Sequence, residues 1–297
     1  MVIDLSVNFC GITFQNPIFT ASGTFAPGSQ FYDFSKLGAV TAKGVAIVPW
    51  EGNPTPRIAE TSSGMLNAVG LENPGADTFV KQDLPLYRKG NVKIIANLAG
   101  RSIDDYIKVA EKLNAADLDM LELNISCPNI SEGGITFGTS TQMAAKVTEA
   151  VRKVVTKPLI VKLTPNVTDI TEIAKAVEAA GADAVSLINT LGGMRIDVRK
   201  RKYILANKMG GLSGPAILPV AIRMVNQVSQ AVKLPIIGMG GVMTGQDVIE
   251  FLLAGASAVA VGTAALVDPT APIRILDELK SFMEEENIDD IKKVRMV

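Results

Sequence analysis

The run Asn124-Ile125-Ser126-Cys127-Pro128-Asn129 sets a nucleophilic thiol between side-chain amides. The chain contains no histidine, which removes Ser-His-Asp triads, Cys-His dyads and histidine-ligated metal sites together. A general base must then be Cys, Lys, Tyr, Asp or Glu. Of these a thiol titrates nearest neutrality, at about 8.5 when unperturbed, so Cys127 leads as base, with a buried structural cysteine as the alternative. Asn124 and Asn129 offer paired donors and acceptors for a planar polar ligand. Cys10 has no such neighbours and reads as inert. With two cysteines in all, the chain cannot by itself hold a four-thiolate [2Fe-2S] cluster. No metal site is expected.

The elements that must position these residues are legible as short Val/Ile/Leu-rich runs alternating with longer amphipathic stretches, the pattern of parallel strands covered by helices. Eight runs stand out: Ile18 to Ala21, Ala39 to Lys43, Lys93 to Asn97, Met120 to Asn124, Leu159 to Lys162, Ala184 to Asn189, Pro235 to Gly238 and Ala258 to Val261. Ser102 followed by Asp105 has capping-box spacing, and Ile103, Ile107, Ala110 and Leu113 continue it at helical period. Ile170, Ile173 and Val177 define another helix, which Gly181 is placed to end. Ala180-Gly181-Ala182-Asp183-Ala184-Val185 recurs as Ala254-Gly255-Ala256-Ser257-Ala258-Val259 at a helix-to-strand junction, as a repeating β/α array requires. An open sheet could show the same repeat; the count of eight strands favours an α/β fold of the TIM (β/α)8 barrel type, one domain over residues 1–297. Two connections, Gly44 to Gly75 and Thr190 to Gly214, are too long for turns and read as functional insertions at the C-terminal face of the strands.

Aligned at their C-terminal ends, the strands present Ala21-Ser22-Gly23, Lys43, Asn97, Asn124, Lys162, Asn189-Thr190, Gly240-Gly241 and Gly262-Thr263. Each has a bland reading as turn former or solvated lysine; polar or glycine residues at all of them on one face point to a site. The glycines after strands seven and eight sit where barrels bind phosphate, and Lys43 and Lys162 could hold an anionic substrate or offset charge on a cofactor. Gly238-Met239-Gly240-Gly241-Val242-Met243 lacks the last glycine of a dinucleotide fingerprint, so no nicotinamide site is expected.

At 297 residues, 47% hydrophobic and with a net charge of −1, the chain offers no basic surface for nucleic acid. Arg199-Lys200-Arg201-Lys202 reads as a solvated loop. The most apolar stretch, Leu252 to Val267, is broken by Gly255, Ser257, Gly262 and Thr263 and falls short of the roughly 20 residues of a membrane span. With no secretory signal at Met1 to Cys10, a cytoplasmic location is expected.

Asn124 to Asn129, the following Ser131-Glu132-Gly133-Gly134-Ile135-Thr136-Phe137-Gly138, and Gly64-Met65-Leu66-Asn67-Ala68-Val69-Gly70-Leu71 together resemble the dihydroorotate dehydrogenases over nearly the whole chain. Within that family the sequence is similar to the catalytic subunit of the NAD-linked, two-subunit class (class 1B). The resemblance implies one FMN per chain, with contacts at Ser22, Lys43, Gly44, Asn97, Asn124, Lys162, Ile188, Gly214, Gly240, Gly241, Gly262 and Thr263. It implies substrate contacts at Lys43, Asn67, Ala68, Val69, Gly70, Leu71, Asn124, Asn129, Asn189 and Thr190, with Cys127 as base. The implied reaction oxidises (S)-dihydroorotate to orotate. Closure of the segment from Pro128 to Thr139, with Gly133, Gly134 and Gly138 as hinges, would exclude water. Since this chain has neither the cysteines for a cluster nor a dinucleotide fold, the resemblance also implies a partner subunit carrying FAD and [2Fe-2S] around a homodimer of catalytic chains, a heterotetramer. Three alternatives stand: the fumarate-using class of the same family, a dihydropyrimidine dehydrogenase type of FMN domain, and a phosphate-binding barrel without redox function.

Overall fold

A computed structural model describes residues 3–25, 33–126, 131–132 and 135–294. Eight parallel strands close into a barrel: β1 (Ile18–Thr20), β2 (Ala39–Thr41), β3 (Lys93–Leu98), β4 (Met120–Asn124), β5 (Leu159–Lys162), β6 (Ala184–Leu187), β7 (Ile236–Met239) and β8 (Ala258–Val261). Each pairs with its sequence neighbour, and β8 returns to β1 with Val261 opposite Thr20. This is the expected TIM barrel. The strands are buried along almost their whole length, which is why they read as unbroken apolar runs instead of alternating ones. Three of them end earlier than their runs: Ala21, Lys43 and Asn189 lie just beyond β1, β2 and β6, where a polar side chain can leave the ladder and face a ligand.

The covering helices are α1 (Ile103–Asn114), α2 (Thr141–Arg152), α3 (Ile170–Ala179), α4 (Leu218–Ala231), α5 (Gly245–Leu253), α6 (Thr263–Val267) and α7 (Ala271–Glu285). The helical segment 76–88 crosses from β2 to β3. The capping box expected at Ser102 is present: its side chain accepts from the Asp105 amide at 3.1 Å, and Asp105 accepts from the Ser102 amide. Thr244 and Asp247 repeat the device at α5, each cap stabilising its helix by about 1 kcal/mol. Tyr106, Val109, Ala110 and Leu113 bury the inner face of α1. Truncating a fully buried leucine such as Leu113 to alanine costs about 2–5 kcal/mol. Gly181 and Gly255 end α3 and α5 at φ 94° and 106°, the left-handed turn that made the two junctions look alike in sequence.

An N-terminal hairpin, Val7–Phe9 with Ile12–Phe14, turns at Cys10 and Gly11, both at positive φ, and packs the rings of Phe9 and Phe14 against Phe19 of β1. The two long connections are not independent. Ile58–Thr61 and Gly64–Asn67 from the first join Leu191–Met194 and Met209–Ser213 from the second in one four-stranded antiparallel sheet, with Leu66 opposite Leu212. Among the described residues no helix is long and apolar enough to cross a membrane.

Candidate active site

The C-terminal ends of the strands and this added sheet enclose a cavity of about 360 Å³. Its floor and walls come from Ser22 and Gly23 after β1, Lys43 and Gly44 after β2, Asn124 of β4, Lys162 of β5, Ile188, Asn189 and Thr190 after β6, Gly240 and Gly241 after β7, and Gly262 and Thr263 after β8. Its outer side is formed by Met65, Asn67, Ala68, Val69, Gly70 and Leu71 from the first connection and Gly211 and Ser213 from the second. An open depression of about 790 Å³ between α5 and α7, bordered by Arg274 and Glu278, shares none of these residues.

Two expected contacts lie off the cavity wall. Asn97 is fully buried one layer behind Asn124, whose Nδ2 donates to its Oδ1 at 3.2 Å. Gly214, at φ 96°, carries the chain between Ser213 and Ile217, which do line the cavity. Its Cβ position would fall 2.7 Å from the Gly64 Cα, so here glycine serves the close approach of the two connections. Cys127, Asn129, Gly133 and Gly134 lie outside the described residues. Gly138 is described and buried, and a Cβ there would stand 2.4 Å from the Ile125 carbonyl oxygen. It is a close-packed glycine, with its neighbour Phe137 edge-on to Tyr106 at 5.6 Å.

Two cations face the cavity from different heights. Lys162 is buried, with 5% of its surface exposed, and is the register partner of Asn124. Lys43 is half-buried, and Gly23 makes room for it: a Cβ at Gly23 would lie 3.2 Å from the Lys43 ammonium. On the opposite side the main chain is bare. Gly240 and Gly241 adopt φ 121° and 87°, and a Cβ on Gly241 would meet the Leu218 backbone nitrogen at 2.8 Å. Gly241 thus packs against the start of α4, and side-chain-free main chain at Gly240 and Gly241 in a cavity that also holds two lysine ammoniums suits a phosphorylated cofactor whose reactive part gathers negative charge.

Among the described residues that line the cavity, the lysines are the titratable side chains. Burial pushes the Cys10 thiol up to about 12, with the Asp183 carboxylate adding to the effect, and its Sγ donates to the Asp183 carbonyl at 3.4 Å. Cys10 therefore stays a thiol, as expected of an inert cysteine. Burial likewise raises the Tyr87 phenol, which donates to the Phe25 carbonyl at 3.3 Å.

A sequence profile of the family described as "Dihydroorotate dehydrogenase" matches residues 4–283. The chain belongs to the dihydroorotate dehydrogenase family. It is similar to the protein named "Dihydroorotate dehydrogenase B (NAD(+)), catalytic subunit" of Alkaliphilus metalliredigens (strain QYMF), with 59% identity over 296 residues, 99% of this chain and 98% of that protein. The protein of the same name from Alkaliphilus oremlandii (strain OhILAs) is 59% identical over 294 residues, 98% of this chain and 97% of that one. A third of that name, from Lachnoclostridium phytofermentans, is 53% identical over 292 residues, 97% of each chain. The family resemblance read from Asn124 to Asn129 and Gly64 to Leu71 is thus borne out, and so is its NAD-linked class.

Two buried polar residues beneath this dihydroorotate dehydrogenase cavity, Glu122 and Ser186, stand outside the motifs legible in the sequence, and buried Ser126 was legible only as part of the run Asn124 to Asn129. A carboxylate in the middle of the apolar run Met120 to Asn124 was the available signal, since a charge is rarely buried without partners. Tyr106 of α1 falls outside the apolar spacing that marked this helix in the sequence; its hydroxyl donates to the Asn124 carbonyl at 2.6 Å and fixes the end of β4.

Proposed function

We propose that this chain oxidises (S)-dihydroorotate to orotate, a step of pyrimidine synthesis, as the catalytic subunit of a two-subunit enzyme. The observation that carries the reading is the full-length identity of 53–59% to proteins named dihydroorotate dehydrogenase B (NAD(+)), catalytic subunit. It is supported by the convergence of Lys43, Asn67, Asn124, Lys162 and Asn189 on one cavity.

The cavity fits FMN: Gly240, Gly241, Gly262 and Thr263 would hold its phosphate, and Ser22, Gly44, Asn124, Lys162 and Ile188 its ring system, with Asn97 acting from behind. Bound there, FMN supplies the acceptor for the hydride that leaves C6 of the substrate. The chain's own residues do the rest. Lys43 pairs with the substrate carboxylate, and Asn67, Asn124, Asn129 and Asn189 read the ring amides, while Ala68, Val69, Gly70, Leu71 and Thr190 shape the pocket around it. The Cys127 thiolate takes the proton from C5. Lys162 offsets the charge that builds during the reaction. The sheet made by the two long connections excludes water from above.

Electrons then pass to a partner subunit carrying FAD and [2Fe-2S] and on to NAD, because the two cysteines of this chain cannot hold a cluster. The assembly is a heterotetramer built on a dimer of this chain, in the cytoplasm. Steady-state turnover tests the reading: dihydroorotate should reduce NAD+ only when the partner is added. Rapid turnover of the isolated chain with fumarate would instead place it in the fumarate-using class.

A further inference from the structure

Glu122 has 2% of its surface exposed, and neither the cofactor cradle nor the substrate contacts call on it. Its Oε2 accepts from Asn97 Nδ2 at 2.5 Å and its Oε1 from Ser186 Oγ at 2.6 Å. These partners stand on β3 and β6, so the carboxylate lies inside the barrel, in the layer below Asn124.

From it a hydrogen-bond chain climbs to the cavity. Asn97 spends Nδ2 on Glu122 and so turns Oδ1 to Asn124, whose Nδ2 donates to it at 3.2 Å. Asn124 Oδ1 then accepts from the Ser126 amide at 3.2 Å and from Ser126 Oγ at 2.8 Å. Having donated its proton, Ser126 Oγ accepts from Asn189 Nδ2 at 2.7 Å. Each hydrogen points inward, from Asn189 at the cavity to the buried carboxylate.

An asparagine amide has the same outline either way round, so its orientation is decided by partners that cannot reverse. Here there are three such partners: the Ser126 backbone N–H, which only donates, the Glu122 carboxylate, both of whose oxygens accept, and, more distantly, the Ser126 carbonyl, which accepts from Asn189 Nδ2 at 3.5 Å. We infer that Ser126 and Glu122 are positioning residues which lock this chain so that Asn189 turns its Oδ1 acceptor to the ligand, making the site select a ring with an N–H at that point and refuse one carrying an N-methyl group there. The inference rests on the orotate reading above for the identity of the ring, while the chain itself does not.

Calorimetric titration of the FMN-loaded protein with orotate and its two ring N-methyl analogues tests it. The native protein should prefer orotate to at least one analogue by roughly tenfold or more, the scale of one lost hydrogen bond with a buried acceptor left unpaired. In Ser126→Ala and Glu122→Met that preference should fall to about twofold with FMN content unchanged. Glu122→Gln, which keeps an acceptor toward Asn97 because Ser186 can rotate to accept, should restore it. Equal weakening of all three ligands would overturn the inference. Neutron diffraction of the native holoprotein reads the chain without ligand: deuterons on the Asn97 atom facing Glu122 and the Asn189 atom facing Ser126 support it, and oxygens there overturn it. Those deuterons in a protein that ignores orotate would overturn the functional reading alone.

Discussion

Lys162 and Asn124 are register partners on β5 and β4, so an ammonium and an amide rise side by side into the same cavity. Lys162→Met keeps the aliphatic stem and removes the charge. Reduction of the bound flavin by dihydroorotate should slow by about 10²–10³, the scale of one preorganised charge lost from a water-poor site. Stopped-flow absorbance gives that rate, and an unchanged value would separate Lys162 from the chemistry.

Gly64 lets the two long connections meet. A Cβ there would stand 2.1 Å from the Ser213 carbonyl oxygen, too close for any relaxation short of parting Gly64–Asn67 from Met209–Ser213. For Gly64→Ala we expect the KM for dihydroorotate to rise by about tenfold or more, equivalent to roughly 1.4 kcal/mol. The ratio of flavin to protein absorbance should hold, because the glycines after β7 and β8 are untouched.

How far the sequence reaches is clear from these elements. Each barrel strand announces itself because burial on both faces demands a continuous apolar run, and each strand end was legible as a break into polar or glycine residues. The roof was not. Leu191–Met194 and Met209–Ser213 each carry two adjacent glycines and so show no alternation from which a partner or register could be read. Nor did the motif from Asn124 to Asn129 show that Asn97 supports Asn124 from behind, since that depends on β3 and β4 standing in register with Asn97 opposite Glu122.

The Tyr106 hydroxyl donates to the Asn124 carbonyl in a site closed to solvent. Tyr106→Phe leaves that carbonyl without its phenol donor, at a cost of about 1–3 kcal/mol. Thermal unfolding should show a Tm lower by about 2–8 °C, and flavin reduction should slow as the end of β4 loosens.

Alkaline pH should weaken the fold through Cys10. Its thiol is raised by burial to about 12 in the folded chain and returns to about 8.5 when unfolded. The folded state therefore holds the proton more tightly, and the stability this confers is full below about pH 8.5 and is lost as pH climbs toward 12. Tyr87, raised by burial in the same direction, adds to the loss at higher pH. Denaturant midpoints between about pH 7 and 10 should fall with a shallower slope in Cys10→Ala than in the native chain. At about pH 8 iodoacetamide should leave Cys10 unmodified in the folded protein by mass spectrometry.

The base assignment separates from cofactor binding in Cys127→Ser. A serine hydroxyl is a far weaker base at neutral pH, so the variant should retain FMN while dihydroorotate reduces it at least about a hundredfold more slowly at pH 7. Native-like single-turnover rates would remove Cys127 from the reaction.

The central claim is tested most directly by mixing the FMN-loaded chain alone, anaerobically, with dihydroorotate and following the flavin absorbance. The flavin should bleach rapidly with one orotate formed per flavin and no further turnover until the partner subunit is supplied. A flavin that stays oxidised with no orotate formed, or a chain that cannot be loaded with FMN at all, would contradict it.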